Sequence, residues 1–79
     1  MEKKILLPTV NKLKEFSETA IRTAFDITAK QGKYIVDGKS VMGMFSLDLT
    51  SPVTIEYDSE DDAAVEKFEQ AIAEIVTEE

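Results

Sequence analysis

The sequence predicts an α+β open-faced sandwich: a four-stranded antiparallel sheet with two long helices and one short helix on one face. Three observations carry this. The element order reads strand, helix, strand, strand, short helix, strand, helix. Each long helix has one apolar stripe, which must be buried against another layer. Val53, Ile55 and Tyr57 alternate with Thr54 and Glu56, the period of a strand with one covered face. Periodicity alone also admits another two-layer sandwich, such as the ferredoxin-like fold.

The first strand is expected over Lys3 to Leu7, stopped by Pro8. Val10, Leu13, Phe16, Ser17, Ala20, Ile21 and Ala24 then fall at helical spacing, with Lys12, Lys14, Glu15, Glu18 and Arg22 on the other face. Thr9 is the candidate N-cap, because its hydroxyl can accept from an otherwise unpaired backbone N–H. The helix is expected from Val10 to about Phe25. Asp26 to Lys30 and Lys33 to Val36 form a hairpin, whose Gln31-Gly32 turn supplies a residue tolerant of positive φ. Asp37-Gly38 is a second turn.

Ser40 to Leu47 is a short apolar run, ambiguous by period and assigned here as a brief helix with Ser40 near its start. Ser51-Pro52 closes the connection to the last strand. For the final helix, Ser59 is the expected N-cap with Asp62 three residues on. Glu60, Asp61 and Asp62 sit where the helix dipole favours anions. Ala64, Phe68, Ala71, Ile72 and Ile75 form its predicted buried stripe. Glu78 and Glu79 are badly placed at a helix C-terminus, so that end is expected to fray.

A chain of 79 residues with 43% apolar content suits one domain, residues 1–79, with a small core. It contains no cysteine and no histidine. That leaves no disulfide, no thiolate nucleophile and only hard oxygen ligands, so no metal or cofactor is expected. Residues 1–50 hold 8 basic and 6 acidic side chains, a net +2, and residues 51–79 hold 1 basic and 10 acidic, a net −9. Nucleic acid and anionic membrane both need a cationic surface, so neither is an expected partner. No signal-peptide pattern opens the chain and no apolar run approaches the ~18 residues of a spanning helix. A cytoplasmic location is expected. The acidic pairs suggest no enzyme: Asp61 and Asp62 point apart on a helix, Glu66 and Glu69 share an exposed face, and no base or nucleophile accompanies them.

The run Lys39-Ser40-Val41-Met42-Gly43-Met44-Phe45-Ser46-Leu47 resembles the short-helix segment of HPr, the small phosphocarrier of the bacterial sugar phosphotransferase system. The resemblance is best from Phe25 to Leu47 and extends more loosely to the end. It implies the HPr-like form of the open-faced sandwich. The family's other motif, Gly-aliphatic-His-Ala-Arg-Pro-Ala at the start of the first long helix, is not matched. Counting back from Ser40 places Thr9-Val10-Asn11-Lys12-Leu13 beneath His-Ala-Arg-Pro-Ala, so the position of the family histidine falls at about Thr9.

That departure removes the chemistry. A histidine carrier works because neutral imidazole exists near pH 7 and its phosphoramidate keeps a high transfer potential. A threonine hydroxyl without a base is a poor nucleophile, and its phosphoester is too stable to pass on. Asn11 and Lys12 remain as candidates to attract a small anion to this helix start. The resemblance makes Ser40 the candidate regulatory phosphorylation site, since Gram-positive members are phosphorylated at the matching serine by an ATP-dependent HPr kinase. A histidine-lacking homologue in bacilli keeps only that serine. A phosphate at a helix start gains from the dipole, with Lys39 adjacent. Capping alone is the other reading of Ser40. Val41, Met42, Met44 and Phe45 match positions that include the family's apolar docking patch, and Val41, Met42 and Phe45 are the candidate partner-binding residues. The other reading puts Met44, Phe45 and Leu47 in the core under the sheet, with Leu47 assigned there. The implied partner is a protein, HPr kinase or a transcriptional regulator. The expected function is regulatory protein binding within the phosphotransferase system. The alternative is a small-anion-binding or structural module without phosphorylation.

Overall fold

A computed structural model describes residues 1–77. The elements are β1 (Glu2–Ile5), α1 (Val10–Ile21), β2 (Ile27–Gln31), β3 (Tyr34–Asp37), α2 (Val41–Phe45), β4 (Val53–Tyr57) and α3 (Asp62–Ala71), followed by a 3-10 turn over Ala73–Ile75. The strands form one antiparallel sheet in the order β1-β4-β2-β3. This is the predicted open-faced sandwich. The ferredoxin-like alternative is excluded, because that fold holds its first strand inside the sheet and here β1 is at a side.

One face of the sheet carries the core. Ile5, Ile27, Ala29, Val53, Ile55 and Tyr57 are buried with Leu13, Phe16 and Ala20 of α1, Met44 of α2, and Val65, Phe68 and Ile72 at α3. The other face is polar apart from Ile35: Lys30 Nζ lies 2.7 Å from Glu56 Oε2 there, joining β2 to β4. Phe25, Tyr57 and Phe68 form an aromatic cluster with ring centroids 5.1 to 6.0 Å apart. Tyr57 is buried, and its hydroxyl donates to Glu69.

Several boundaries differ from expectation, each for a local reason. β1 ends at Ile5, which pairs with Val53, the first residue of β4; the next residue back, Pro52, has no N–H to extend the ladder. α1 ends at Ile21 and not Phe25. The Thr23 hydroxyl takes Ala20 O at 2.7 Å and so competes for a carbonyl that would continue the helix. Phe25 then turns back into the core, while Val10, Ile21 and Ala24 of the predicted stripe face outward. The N-cap of α3 is Asp61, whose carboxylate accepts from Ala64 N at 3.1 Å. Ser59 instead accepts from Asp61 N. The α3 stripe is Val65, Phe68 and Ile72; Ala71 is exposed, and Ala64 and Ile75 are half-buried. Glu78 and Glu79 lie outside the described residues.

Two glycines have steric work. Gly32 takes φ +59° in the hairpin turn. Gly38 donates its N–H to Ile27 O at 2.8 Å, and a Cβ there would sit 2.7 Å from Ile27 Cγ2. Beyond the 3-10 turn, Thr77 N donates to Lys4 O at 2.8 Å and Val76 bridges to Ile5. The C-terminal segment thus straps the outer edge of β1.

Candidate functional site

Ser40 ends the Asp37-Gly38 turn and opens α2. Its backbone is extended (φ −97°, ψ 114°), and its Oγ accepts from Gly43 N at 3.1 Å. The Lys39 ammonium donates to Thr23 O at 3.2 Å, tying the segment just after α1 to the start of α2. Lys39 N donates to Asp37 Oδ1 at 2.9 Å. The Ser40 hydroxyl is therefore held in place by its capping bond and stays half-buried.

α2 divides its apolar residues between core and solvent. Met44 is fully buried and Leu47 lies in the core, as expected for Leu47. Val41 is half-buried and packs against the core. Met42 is 84% exposed and Phe45 44%. Being three residues apart, Met42 and Phe45 share one side of the helix. Ile21, at the end of α1, is 57% exposed as well. Sequence periodicity missed Ile21 because its spacing matches the buried stripe.

The start of α1 is organised differently. Thr9 caps the helix, its Oγ1 accepting from Lys12 N at 3.1 Å. Asn11 is exposed. The Lys12 ammonium lies 3.0 Å from Glu74 Oε1 and 3.8 Å from Glu15 Oε1. The hydrogen bond to Glu74, then its charge, raises the Lys12 pKa. A cation already met by two carboxylates attracts a free anion weakly. Thr9 has no imidazole near it, since the chain contains none. Ser40 and Thr9 thus share one local device, a hydroxyl cap, and differ in surroundings: exposed apolar residues beside Ser40, an ion-paired network beside Thr9.

Elsewhere the surface offers little chemistry. An open groove of about 670 Å³ is lined by Met1, Glu2, Phe25, Asp26, Tyr57 and Asp58, among others. Among the described residues, no group of three or more acidic side chains is placed to hold a metal ion, and no helix is long and apolar enough to cross a membrane.

No protein-family model matches the sequence, and no curated protein matches it. Solved structures do. HPr-C-His from Thermoanaerobacter tengcongensis is similar over 92% of this chain and 91% of its own, at 21% identity and a TM-score of 0.73. The phosphocarrier HPr of Bacillus anthracis covers 91% of this chain and 95% of its own, at 22% identity and a TM-score of 0.67. Crh, a Bacillus subtilis catabolite repression protein whose crystal structure reveals a swapped, intertwined dimer, covers 95% of this chain and 88% of its own, at 28% identity and a TM-score of 0.63.

Proposed function

We propose that this chain, HPr-like in fold and in its short-helix segment, is a regulatory, protein-binding relative of the phosphotransferase carriers and not a histidine phosphocarrier. The observation that carries the reading is the placement of exposed Met42 and Phe45 on the short helix that Ser40 caps. Methionine and phenylalanine left in water on one side of a helix favour a protein partner, methionine because its flexible thioether adapts to the opposing surface. Val41 supports the patch from its half-buried position.

Ser40 is the switch in this reading. Phosphorylation converts a neutral hydroxyl into a group of about −1.5 to −2 charge at the edge of the patch, so recognition of that patch changes with it. Partners are a kinase that modifies Ser40 and a regulator that reads the product, as the resemblance implies. The anion-binding alternative at Asn11 and Lys12 is less favoured, because Glu74 already takes the Lys12 charge.

The test is calorimetric titration of purified HPr kinase with the wild type, Met42→Asp and Phe45→Ser. Anchors of this kind are worth about 2 kcal/mol or more, so each variant should bind about 30-fold or more weakly. Far-UV circular dichroism should be unchanged. Equal affinity for all three proteins contradicts the reading.

A further inference from the structure

The two edges of the sheet are finished differently. The outer edge of β1 is strapped by the C-terminal segment, through Leu6 N to Ile75 O and Thr77 N to Lys4 O. Among the described residues, no strand pairs with the outer edge of β3. The register shows which groups this leaves bare. Gln31 pairs with Tyr34 across a two-residue turn, and Gly38 N donates to Ile27 O. Hydrogen-bonded and non-hydrogen-bonded pairs alternate along an antiparallel ladder. Tyr34 and Val36 therefore bond inward to β2, while Ile35 and Asp37 direct their backbone groups outward. The Asp37 carbonyl is taken by Ser40 N at 3.0 Å, which leaves the Asp37 N–H and both groups of Ile35 at the edge.

We propose that β3 pairs antiparallel with β3 of a second copy of this chain, in register about Ile35, so that one sheet runs through both copies. This register opposes Ile35 to Ile35, Tyr34 to Val36, and Lys33 to Asp37 of the second copy. Three features then agree. The two Ile35 residues exchange both N–H to O bonds, and each Asp37 N–H reaches the Lys33 carbonyl opposite. Faces also match: Tyr34, 60% exposed, meets Val36 on the helix side, and Ile35, 67% exposed, meets its equivalent on the open side. Charges match twice by symmetry, Lys33 against Asp37 at each end. Centring instead on Lys33 or Asp37, which also keeps the bonding groups outward, sets like charges opposite each other. Exposed edges are commonly guarded by charge, proline or a bulge; β3 carries complementary charges around a bare isoleucine.

A single four-residue strand buries less than the roughly 1,200 Å² of a standard interface, so the dimer is weak, with a dissociation constant of about 0.1–1 mM. Sedimentation equilibrium of the full chain from about 0.01 to about 1 mM, with amide hydrogen exchange at the top concentration, tests it. The weight-average mass should rise from 8.8 kDa toward twice that value. Exchange at Ile35 and Asp37 should slow at least about twofold. Ile35→Pro should stay monomeric yet folded, because this N–H is outside the ladder and edge strands accept proline there. Lys33→Asp should also stay monomeric, and Lys33→Asp combined with Asp37→Lys should dimerise again. A monomer throughout, or a dimer indifferent to Ile35→Pro and Lys33→Asp, as exchange of β1 between copies would give, overturns the proposal.

Discussion

Lys12 Nζ and Glu74 Oε1 meet at 3.0 Å, joining the first turn of α1 to the 3-10 turn after α3. The pair lies at the helix start where counting back from Ser40 puts the position of the family histidine. Inorganic phosphate at about 5 mM, in low salt, should leave the Asn11 and Lys12 amide resonances of the wild type unmoved. Glu74→Lys removes the competing carboxylate and adds a cation, so it should make both amides respond. Because exposed pairs are screened, the response should fade near 1 M salt, where the Debye length falls to about 3 Å. A saturable shift in the wild type would restore the anion-binding reading.

Tyr57 is buried among Phe25 and Phe68 with its hydroxyl on Glu69. Burial first, then the Glu69 bond and charge, pushes its phenol well above the ordinary value of 10.0. A raised folded value favours the protonated form in the native state. The stability this contributes is complete below the unfolded phenol value and is lost as pH rises above it. In Tyr34→Phe protein, absorbance at 295 nm should show no phenolate at pH 10, and phenolate should appear together with loss of the far-UV dichroism. Titration at pH 10 without unfolding would contradict this.

Gly38 leaves no room for a side chain. A Cβ would meet Ile27 Cγ2 at 2.7 Å and Ile27 O at 3.1 Å, and the second contact is with backbone. Gly38→Ala should lower stability by about 1–3 kcal/mol in urea unfolding. An unchanged midpoint would mean the β2–β3 end shifts freely.

Ser17 is fully buried on the inner face of α1, and its hydroxyl has no hydrogen-bond partner among the described residues. An unsatisfied buried hydroxyl costs about 1–3 kcal/mol, and alanine is the better helix former. Ser17→Ala should raise stability by about 1 kcal/mol. A loss of stability would show that the hydroxyl is bonded in solution.

The features legible in the sequence are those set by neighbours along the chain. The 3.6-residue period marked Leu13, Phe16, Ser17 and Ala20, the period of two marked Val53 to Tyr57, and the hydroxyl positions marked the caps at Thr9 and Ser40. The end of α1 was not legible, because Arg22 to Phe25 continue the apolar spacing without a glycine or proline to stop it. Thr23 ends the helix by a side-chain bond that composition does not announce. In α3 the predicted stripe includes Ala64 and Ala71 and leaves out Val65, whereas packing buries Val65 with Phe68 and Ile72. Lys12 with Glu74, and the bare edge of β3, depend on which strands and helices become neighbours, which no local pattern contains.

We propose that any phosphate this chain carries in regulation sits on Ser40, beside the Met42 and Phe45 patch. Incubation with ATP and HPr kinase, followed by intact mass measurement of wild type, Thr9→Ala and Ser40→Ala, tests it most directly. One added phosphate is expected on the wild type and on Thr9→Ala, and none on Ser40→Ala. No phosphate on a folded wild type, or a phosphate that persists in Ser40→Ala, would contradict it.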